Sequence, residues 1–391
     1  MARSLNVQAP DRLELSPSRS SNGNKPDHSG TPDQFDVVVV GGGQAGLAAG
    51  HHLARQGLNF VILDAHSRVG DAWRNRWDSL TLFTPAKMTG LPGMRFPAPA
   101  YHFPTKDEVA DYLESYAEAM RLPIRLGTTA CHVRPSGDSR WLVETGDMPM
   151  LASSVVIATG GYQTPKIPAW ASELDPGITQ IHSMDYRNAS QFQAGPVLIV
   201  GASHSGADIA IEATHHDRTV LVGRDTGQIP IPTTGRLVPF TVPVIWFVVN
   251  HVMTVHTPMG RKAKRQLRAH GFPLEHPSRS DIAAAGVERI TARATGVRDG
   301  KPMLDDGQVL DVRNVVWCTG FQEDYSWIEG LTYGEDSYPE EDHGVVTGTP
   351  GIYFVGLRFQ RSGASSLVGG VGRDAKYIAR HIAKRKVAHT R

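Results

Sequence analysis

The sequence is short of cysteine, of net charge and of long apolar runs. Its 391 residues hold two cysteines, Cys131 and Cys318. Neither belongs to a C-x-x-C pair or a zinc-ligand spacing, which argues against a disulfide framework and a local dithiol couple. The histidines make no better metal site. His251 and His256 are five apart, His51–His52 and His215–His216 are adjacent, and none has a carboxylate or cysteine at ligand spacing. No metal is expected. Lysine plus arginine number 40 against 39 aspartate plus glutamate, so the chain carries no global field for nucleic acid or an anionic membrane. The basic run RKAKRQLR at 261–268 lacks interleaved aromatics and reads as a solvated helix face.

The most apolar window is LVPFTVPVIWFVVNHVM at 237–253. Pro239 and Pro243 interrupt it, and Asn250 and His251 close it, leaving too short a run to span a bilayer. It reads as a buried or pocket-lining element. Residues 1–33 are rich in Ser, Pro, Asn and Asp without an apolar period, the composition of a disordered tail. They lack the apolar segment of a secretory signal, and their acidic residues argue against a transit peptide. A cytoplasmic location is the expectation.

Glycine is plentiful at 40 residues and proline at 26, which suits the tight turns of an α/β protein long enough for two domains. Val37 to Val40 form a β-branched run, the pattern of a strand buried on both faces of a parallel sheet. Gly41-x-Gly43-x-x-Gly46 follows at once, then a helical stretch to Gly57 and a second strand ending at Asp64. This is a βαβ unit holding a dinucleotide fingerprint. Gly41 permits the turn, Gly43 lets the backbone approach a pyrophosphate, and Gly46 lets the helix pack close. Asp64, twenty-three residues after Gly41, stands where an acid accepts hydrogen bonds from a ribose hydroxyl.

The layout repeats. Val197 to Val200 run into Gly201-x-Ser203-x-x-Gly206, then a helix and the strand Thr219–Val222. At the same twenty-three-residue offset stands Arg224, which would pair with a 2′-phosphate that an acid would repel. The first turn is expected to hold FAD or NAD, the second NADPH. GASHSG lacks the register of a hydrolase G-x-S-x-G, so a serine nucleophile is not expected.

Two further strands, VVIATGG at 155–161 and VVWCTGF at 315–321, end alike in Thr-Gly and mark crossovers between the halves. The predicted fold class is α/β, with two nested Rossmann-type three-layer dinucleotide-binding domains. The first comprises 34–165 plus 321–391 and the second, inserted, 166–320. The returning segment predicts a strand at 351–357 and a helix at 369–385 with Ala375, Ile378, Ala379 and Ile382 on one face. The glycine-rich start of that helix either aims backbone N–H groups at a cofactor or merely caps the fold.

These stretches resemble the flavin-containing monooxygenase-like family, the class B flavoprotein monooxygenases, over about residues 34–385. Four segments carry the resemblance. They are GGGQAG with Asp64; GDAWRNRWDSLTLFTP at 70–85, similar to the family's G-x-x-W-x-x-R loop; QIHSMDYRNASQF at 180–192, similar to its His-x-x-x-Tyr/Phe fingerprint; and VVWCTGFQEDYSWI with GVGRDA. The endings look most like a bacterial branch often labelled as flavoproteins involved in potassium or cation transport, although nothing in the sequence would move an ion. The resemblance implies FAD on Gly41, Gly43, Gln44, Ala45, Gly46, Asp64, Trp73 and Arg76. It implies NADPH on Gly201, Ser203, Ser205, Gly206 and Arg224. Thr159, Gly160, Thr319, Gly320 and Asp374 complete the cofactor-binding set.

Some positions depart from the family. Pro176 and Ile178 replace its Phe and Gly, and Tyr186 stands where Baeyer–Villiger enzymes tend to have Trp. The segment 81–93 has no Asn to serve as a flavin-side amide, so no catalytic side chain is assigned. His182 and Tyr186 read either as hinge residues or as plain linker. The implied reaction passes hydride from NADPH to FAD, then one oxygen from dioxygen, through a C4a-(hydro)peroxyflavin, to a small apolar substrate. The pocket is expected from 81–103 and 227–275. Two alternatives stay open: a reductase or oxidase without oxygen insertion, and a redox-sensing FAD/NADPH module. A homodimer is also left open.

Overall fold

The computed structural model describes residues 32–137, 139–229, 237–270, 273–274 and 276–390. The expected tail lies outside these residues up to position 31. It ends earlier than 33, because Asp33 opens the first strand, paired with Met150.

The chain starts with strand β1 (Asp33–Val40), helix α1 (Gln44–Arg55) and strand β2 (Phe60–Leu63). A short helix α2 (Asp71–Arg74) and the longer α3 (Lys106–Ala119) lead to β3 (Ile124–Arg125). An antiparallel meander follows: β4 (Ala130–Ser136), β5 (Arg140–Thr145) and β6 (Met150–Ile157). After β7 (Thr164–Pro165) and β8 (Thr179–His182) the second unit runs β9 (Val197–Val200), α4 (His204–Ala213), β10 (Thr219–Val222). Then come α5 (Val238–Phe247), α6 (Pro258–His270), α7 (Arg279–Ala284) and β11 (Glu288–Ile290). The hairpin β12 (Ala294–Arg298) and β13 (Lys301–Leu304) precedes β14 (Asn314–Trp317). The last segment holds β15 (Phe321–Gln322), β16 (Glu341–Asp342), β17 (Val345–Val346), β18 (Ile352–Phe354) and α8 (Gly372–Thr390).

The strands form two main sheets. In the nine-stranded sheet the parallel core runs β18–β6–β1–β2–β3, and the five-stranded sheet runs β11–β10–β9–β14–β8, parallel throughout. The second repeats the first. Strands β9, β10, β11 and β14 take the places of β1, β2, β3 and β6, and β8 that of β18. The β-branched runs sit in the middle as their composition requires: Val37 to Val39 and Val197 to Ile199 are 0% exposed. Helices α1, α3 and α8 cover one face of the first sheet and the β4–β5 meander the other. In the second sheet α4 and α7 cover one face, while Leu174, Leu304 and Leu310 line the opposite core. Each is a three-layer α/β arrangement.

The predicted face of α8 is buried, with Ala375, Ile378, Ala379 and Ile382 at most 2% exposed. The helix begins later than expected, at Gly372, because a turn in which Gly370 and Val371 donate to the Leu367 carbonyl precedes it. The two crossing segments meet: β7 and β15 pair antiparallel, Thr164 with Gln322 and Pro165 with Phe321.

The apolar window 237–253 lines a cavity, as expected, through Val242, Ile245, Trp246, Val249 and Met253, but it is not buried throughout. Val238 and Val242 are buried, but Leu237, Phe240, Val244 and Phe247 are more than half exposed. The window is apolar all round, so its composition could not say which side faces water. The basic run lies on α6 as expected, with Arg261, Lys262 and Arg265 exposed. Lys264 and Arg268 instead turn inward toward the buried carboxylate of Glu341.

Candidate functional site

The two glycine turns have the same construction. Gly41 has φ +109° and Gly201 φ +110°, a conformation that side chains disfavour. A Cβ on Gly41 would come 2.5 Å from the Ala158 carbonyl oxygen, and one on Gly201 would come 2.2 Å from that of Cys318. A Cβ on Gly46 would lie 1.8 Å from the Gly41 oxygen, and one on Gly206 1.7 Å from the Gly201 oxygen. These four glycines are therefore required by the close approach of turn, helix and crossing strand.

Gly43 and Ser203 differ from them. They are the N-caps of α1 and α4, with φ −76° and −91° and nearly equal ψ, which any residue adopts. A Cβ at Gly43 would meet nothing within 4 Å. Its lack of a side chain serves open space at a helix N-terminus, where a dinucleotide phosphate would fit. Beside it, Asp64 Oδ2 accepts from the Gly42 amide at 2.7 Å, and Oδ1 accepts from the His66 amide at 2.8 Å. The carboxylate is held at the strand end, within the turn.

Strand register corrects the second site by one residue. Val40 pairs with Leu63, so Asp64 is the next residue on β2; Val200 pairs with Val222, so the next on β10 is Gly223. Gly223, not Arg224, takes the place of Asp64. The connection between the strands is one residue shorter in the second unit, which an equal-offset count misses. The consequence sharpens the expectation: the acid is replaced by glycine, and Arg224 follows immediately. Two arginines that sequence reasoning missed stand nearby. Arg289, from β11, donates to the carbonyls of Leu221 at 3.1 Å and Gly223 at 2.5 Å. Arg279, the first residue of α7, pairs with Asp225 at 2.6 Å. Arg289 reaches this place only because β11 lies parallel to β10, so no local signal could have found it.

Around the first turn, Trp73 Nε1 donates to Gln44 Oε1 at 3.4 Å. Ala45 is buried beside it, its Cβ 2.9 Å from where a Cβ on Gly356 would lie. Arg76 lies elsewhere. Its guanidinium stacks over the Tyr162 ring at 4.4 Å and faces Phe321 at 5.7 Å, on the crossing ribbon. The crossing residues are fastened to each other: Gln163 donates to Thr159 Oγ1 and the Gly160 carbonyl, Thr319 donates to the Lys166 carbonyl, and the Lys166 amide donates to Gly320. His182, at the end of β8, lies 3.1 Å from the same Gly320 carbonyl, and buried Tyr186 donates to Glu212 at 3.0 Å. Ser205 lies in the first turn of α4. Asp374, in the first turn of α8, is 3% exposed, and its Oδ2 has no hydrogen-bond partner among the described residues. Burial pushes its carboxyl up to about 6. A buried polar atom of this kind costs free energy unless a partner arrives.

The segment after Trp73 ties the two sheets together. Trp77 packs in the core beneath α4, Ser79 Oγ donates to Glu212 Oε2 at 2.5 Å, and Phe83 stacks on His204 at 5.0 Å between ring centroids. Below the second turn, burial and the charge of Glu212 push the Asp208 carboxyl up to about 8. The Cys318 thiol, raised by burial, lies near it, while Cys131 is exposed; neither forms a disulfide.

A cavity of about 570 Å³ opens beside these elements. Its walls are Phe83, Thr84, Pro85 and Met88, then Arg224, Asp225, Thr226 and Ile229, and Gly363 and Leu367 ahead of α8. Val242, Ile245, Trp246 and Val249 of α5 and its continuation close it together with Leu267 of α6. The two expected pocket segments contribute, and the 363–367 loop was not foreseen. One mostly apolar chamber thus touches the end of β10, the segment bridging the sheets, and the approach to Asp374.

A family model described as pyridine nucleotide-disulphide oxidoreductase matches residues 38–266. The uncharacterized oxidoreductase CzcO-like of Geobacillus kaustophilus is 38% identical over 352 residues, covering 89% of this chain and 98% of its own. The probable indole-3-pyruvate monooxygenase YUCCA7 of Arabidopsis thaliana is 28% identical, over 88% of this chain and 87% of its own. Among solved structures, the flavin-containing monooxygenase from Stenotrophomonas maltophilia superposes with a TM-score of 0.70 at 29% identity, over 90% of this chain and 99% of that one. The mixed α/β fold is that of two-domain flavoprotein monooxygenases, and FAD with a pyridine nucleotide is the corresponding cofactor pair. The chain belongs to the pyridine nucleotide-disulphide oxidoreductase family, in the flavin monooxygenase-like group with the CzcO-type oxidoreductases, and is a flavin-dependent oxidoreductase.

Proposed function

We propose that the chain is an NADPH-dependent FAD monooxygenase acting on a small apolar compound held in the 570 Å³ cavity. In this reading 34–165 with 321–391 carry FAD and 166–320 carry NADPH. Gly41, Gly43, Gln44, Ala45, Gly46 and Asp64 hold the flavin nucleotide, together with Trp73, Thr159, Gly160 and Asp374. Gly201, Ser203, Ser205, Gly206 and Arg224 hold NADPH beside Thr319 and Gly320. Arg76 acts through the crossing ribbon on which it is stacked. The carrying observation is the cavity bordered by the bridging segment, the end of β10 and the approach to α8, because a substrate there would border both nucleotide sites.

Bound FAD supplies the two-electron chemistry and the reaction with dioxygen. The chain's own residues orient and exclude water. Gly43 and the N-terminus of α1 leave room for phosphate, and Asp64 accepts from ribose hydroxyls. Asp374 offers its unpaired Oδ2 to a donor on the flavin. Gly223 removes the acid that would repel a 2′-phosphate, and Arg224 pairs with it. The apolar wall of Val242, Ile245, Trp246 and Val249 keeps the chamber dry, which disfavours side reactions with water.

Apolar amines, sulfides and ketones are offered with NADPH and dioxygen, and NADPH consumed is compared with oxygenated product and hydrogen peroxide. Product formation coupled to NADPH supports the reading. Peroxide equal to NADPH with every compound would assign the chain as an oxidase.

A further inference from the structure

Helix α5 and its continuation to Val252 have two apolar sides. One side, with Val242, Ile245, Trp246 and Val249, lines the cavity. The other presents Leu237 (55% exposed), Phe240 (74%), Val244 (55%) and Phe247 (58%) at the three- and four-residue spacing of a single helical stripe. Met259, at the start of α6, adds a further apolar side chain at 59%. Isolated exposed apolar residues are ordinary; a stripe of four on one helix is not.

The segment that carries the stripe has charge of one sign. Residues 237–270 contain five Lys or Arg and no Asp or Glu, in a chain that is otherwise balanced at 40 against 39. Lys264 and Arg268 are occupied by Glu341 and Asp336, but Arg261, Lys262 and Arg265 are exposed on α6. At the other end of α5, Tyr101 donates to the Pro239 carbonyl at 3.4 Å, and exposed Lys87 lies 5.8 Å from the Tyr101 ring. Among the described residues no helix is long and apolar enough to cross a membrane. An apolar stripe flanked by cations, on a helix that does not span, is the pattern of an element lying in a lipid interface.

We propose that α5 and α6 form a docking surface for an anionic lipid bilayer, with Leu237, Phe240, Val244 and Phe247 entering the acyl boundary and Arg261, Lys262, Arg265 and Lys87 meeting the headgroups. The surface stands independently of the redox reading. Only one consequence rests on the proposed monooxygenase: its substrate would be a compound dissolved in the bilayer, which reaches the cavity past the same helix.

The test is flotation of the full chain with vesicles, in low salt, either of phosphatidylcholine alone or with a third of phosphatidylglycerol. The chain is expected to float with the anionic vesicles only and to be released by 0.5 M salt, roughly the range where surface charge is screened. K262Q with R265Q should weaken vesicle affinity by about fivefold for each lost cation. F240S with F247S should abolish flotation while leaving the unfolding midpoint near that of the wild type, since both side chains are exposed. No flotation with either vesicle, or equal flotation of wild type and the charge variant, overturns the proposal. So does a dimer in sedimentation velocity that F240S with F247S dissociates, which would assign the stripe to a second copy. None of these readouts requires turnover, so their failure is separable from failure of the monooxygenase reading.

Discussion

Arg224→Ala is expected to weaken NADPH about 10- to 30-fold and to leave NADH nearly unchanged. The magnitude follows from the strand end. Gly223 occupies the place that Asp64 takes in the first unit, so no acid opposes a 2′-phosphate, and Arg224 is the next residue. A hydrogen bond to a charged group contributes about 1.5–3 kcal/mol. Arg224 is exposed, which puts it at the lower end, about 1.5–2 kcal/mol, or roughly one to one and a half decades of affinity. The assay is anaerobic stopped-flow reduction of the bound flavin over a range of each nucleotide. Raising the salt should erode the NADPH preference of the wild type and change the variant little, because an exposed ion pair is screened. Equal loss for NADPH and NADH, or no loss for either, would refute the reasoning. Gly223→Asp is the poorer test, since Gly223 has φ +132° and a side chain there strains the backbone whatever the nucleotide.

Gly43→Leu should fold, at a cost of about 1 kcal/mol for the altered cap, yet purify with little flavin, because its side chain enters open space at the N-terminus of α1. Gly46→Ala, whose Cβ would lie 1.8 Å from a backbone oxygen, should fail to give folded protein; full flavin content in Gly43→Leu would contradict the first-turn assignment. Asp208→Asn should flatten the alkaline loss of stability. A carboxyl raised to about 8 by burial and Glu212 keeps its proton when folded and releases it when unfolded, so stability falls as pH rises until about 8. Between pH 6.5 and 8 the wild type should lose about 1.5 kcal/mol more than the variant in chemical denaturation. Asp374, raised only to about 6, contributes in the same direction but mostly below that window. Parallel profiles for wild type and variant would dismiss a neutral Asp208.

Much of the fold was legible because its signals are local. Four β-branched residues in a row, a glycine at fixed spacing and an apolar helix face are each written within a dozen positions, and Val37, Gly41, Gly46, Gly201, Gly206 and Ile378 all behave as their neighbours suggest. The candidate site was legible only where it is equally local. Asp64 follows its own turn by a helix of ordinary length. Arg224 was found one place out of register, because the connection from β9 to β10 is one residue shorter than that from β1 to β2, which changes the count while leaving the spacing pattern intact. Arg289 and Arg279 come to β10 from a later strand and helix, and the 363–367 loop comes to the cavity from the far end of the chain. Such juxtapositions depend on sheet order, which no short pattern carries. Helix α5 shows the opposite limit: a segment apolar on every side has no period, so its buried and exposed faces could be told apart only in three dimensions.

The most direct test of the central claim follows the fate of dioxygen. With ¹⁸O₂, NADPH and an apolar compound that stimulates NADPH oxidation, the account predicts one labelled oxygen in the product for each NADPH consumed in coupled turnover. Product without label, or all reducing equivalents recovered as labelled hydrogen peroxide, would contradict it.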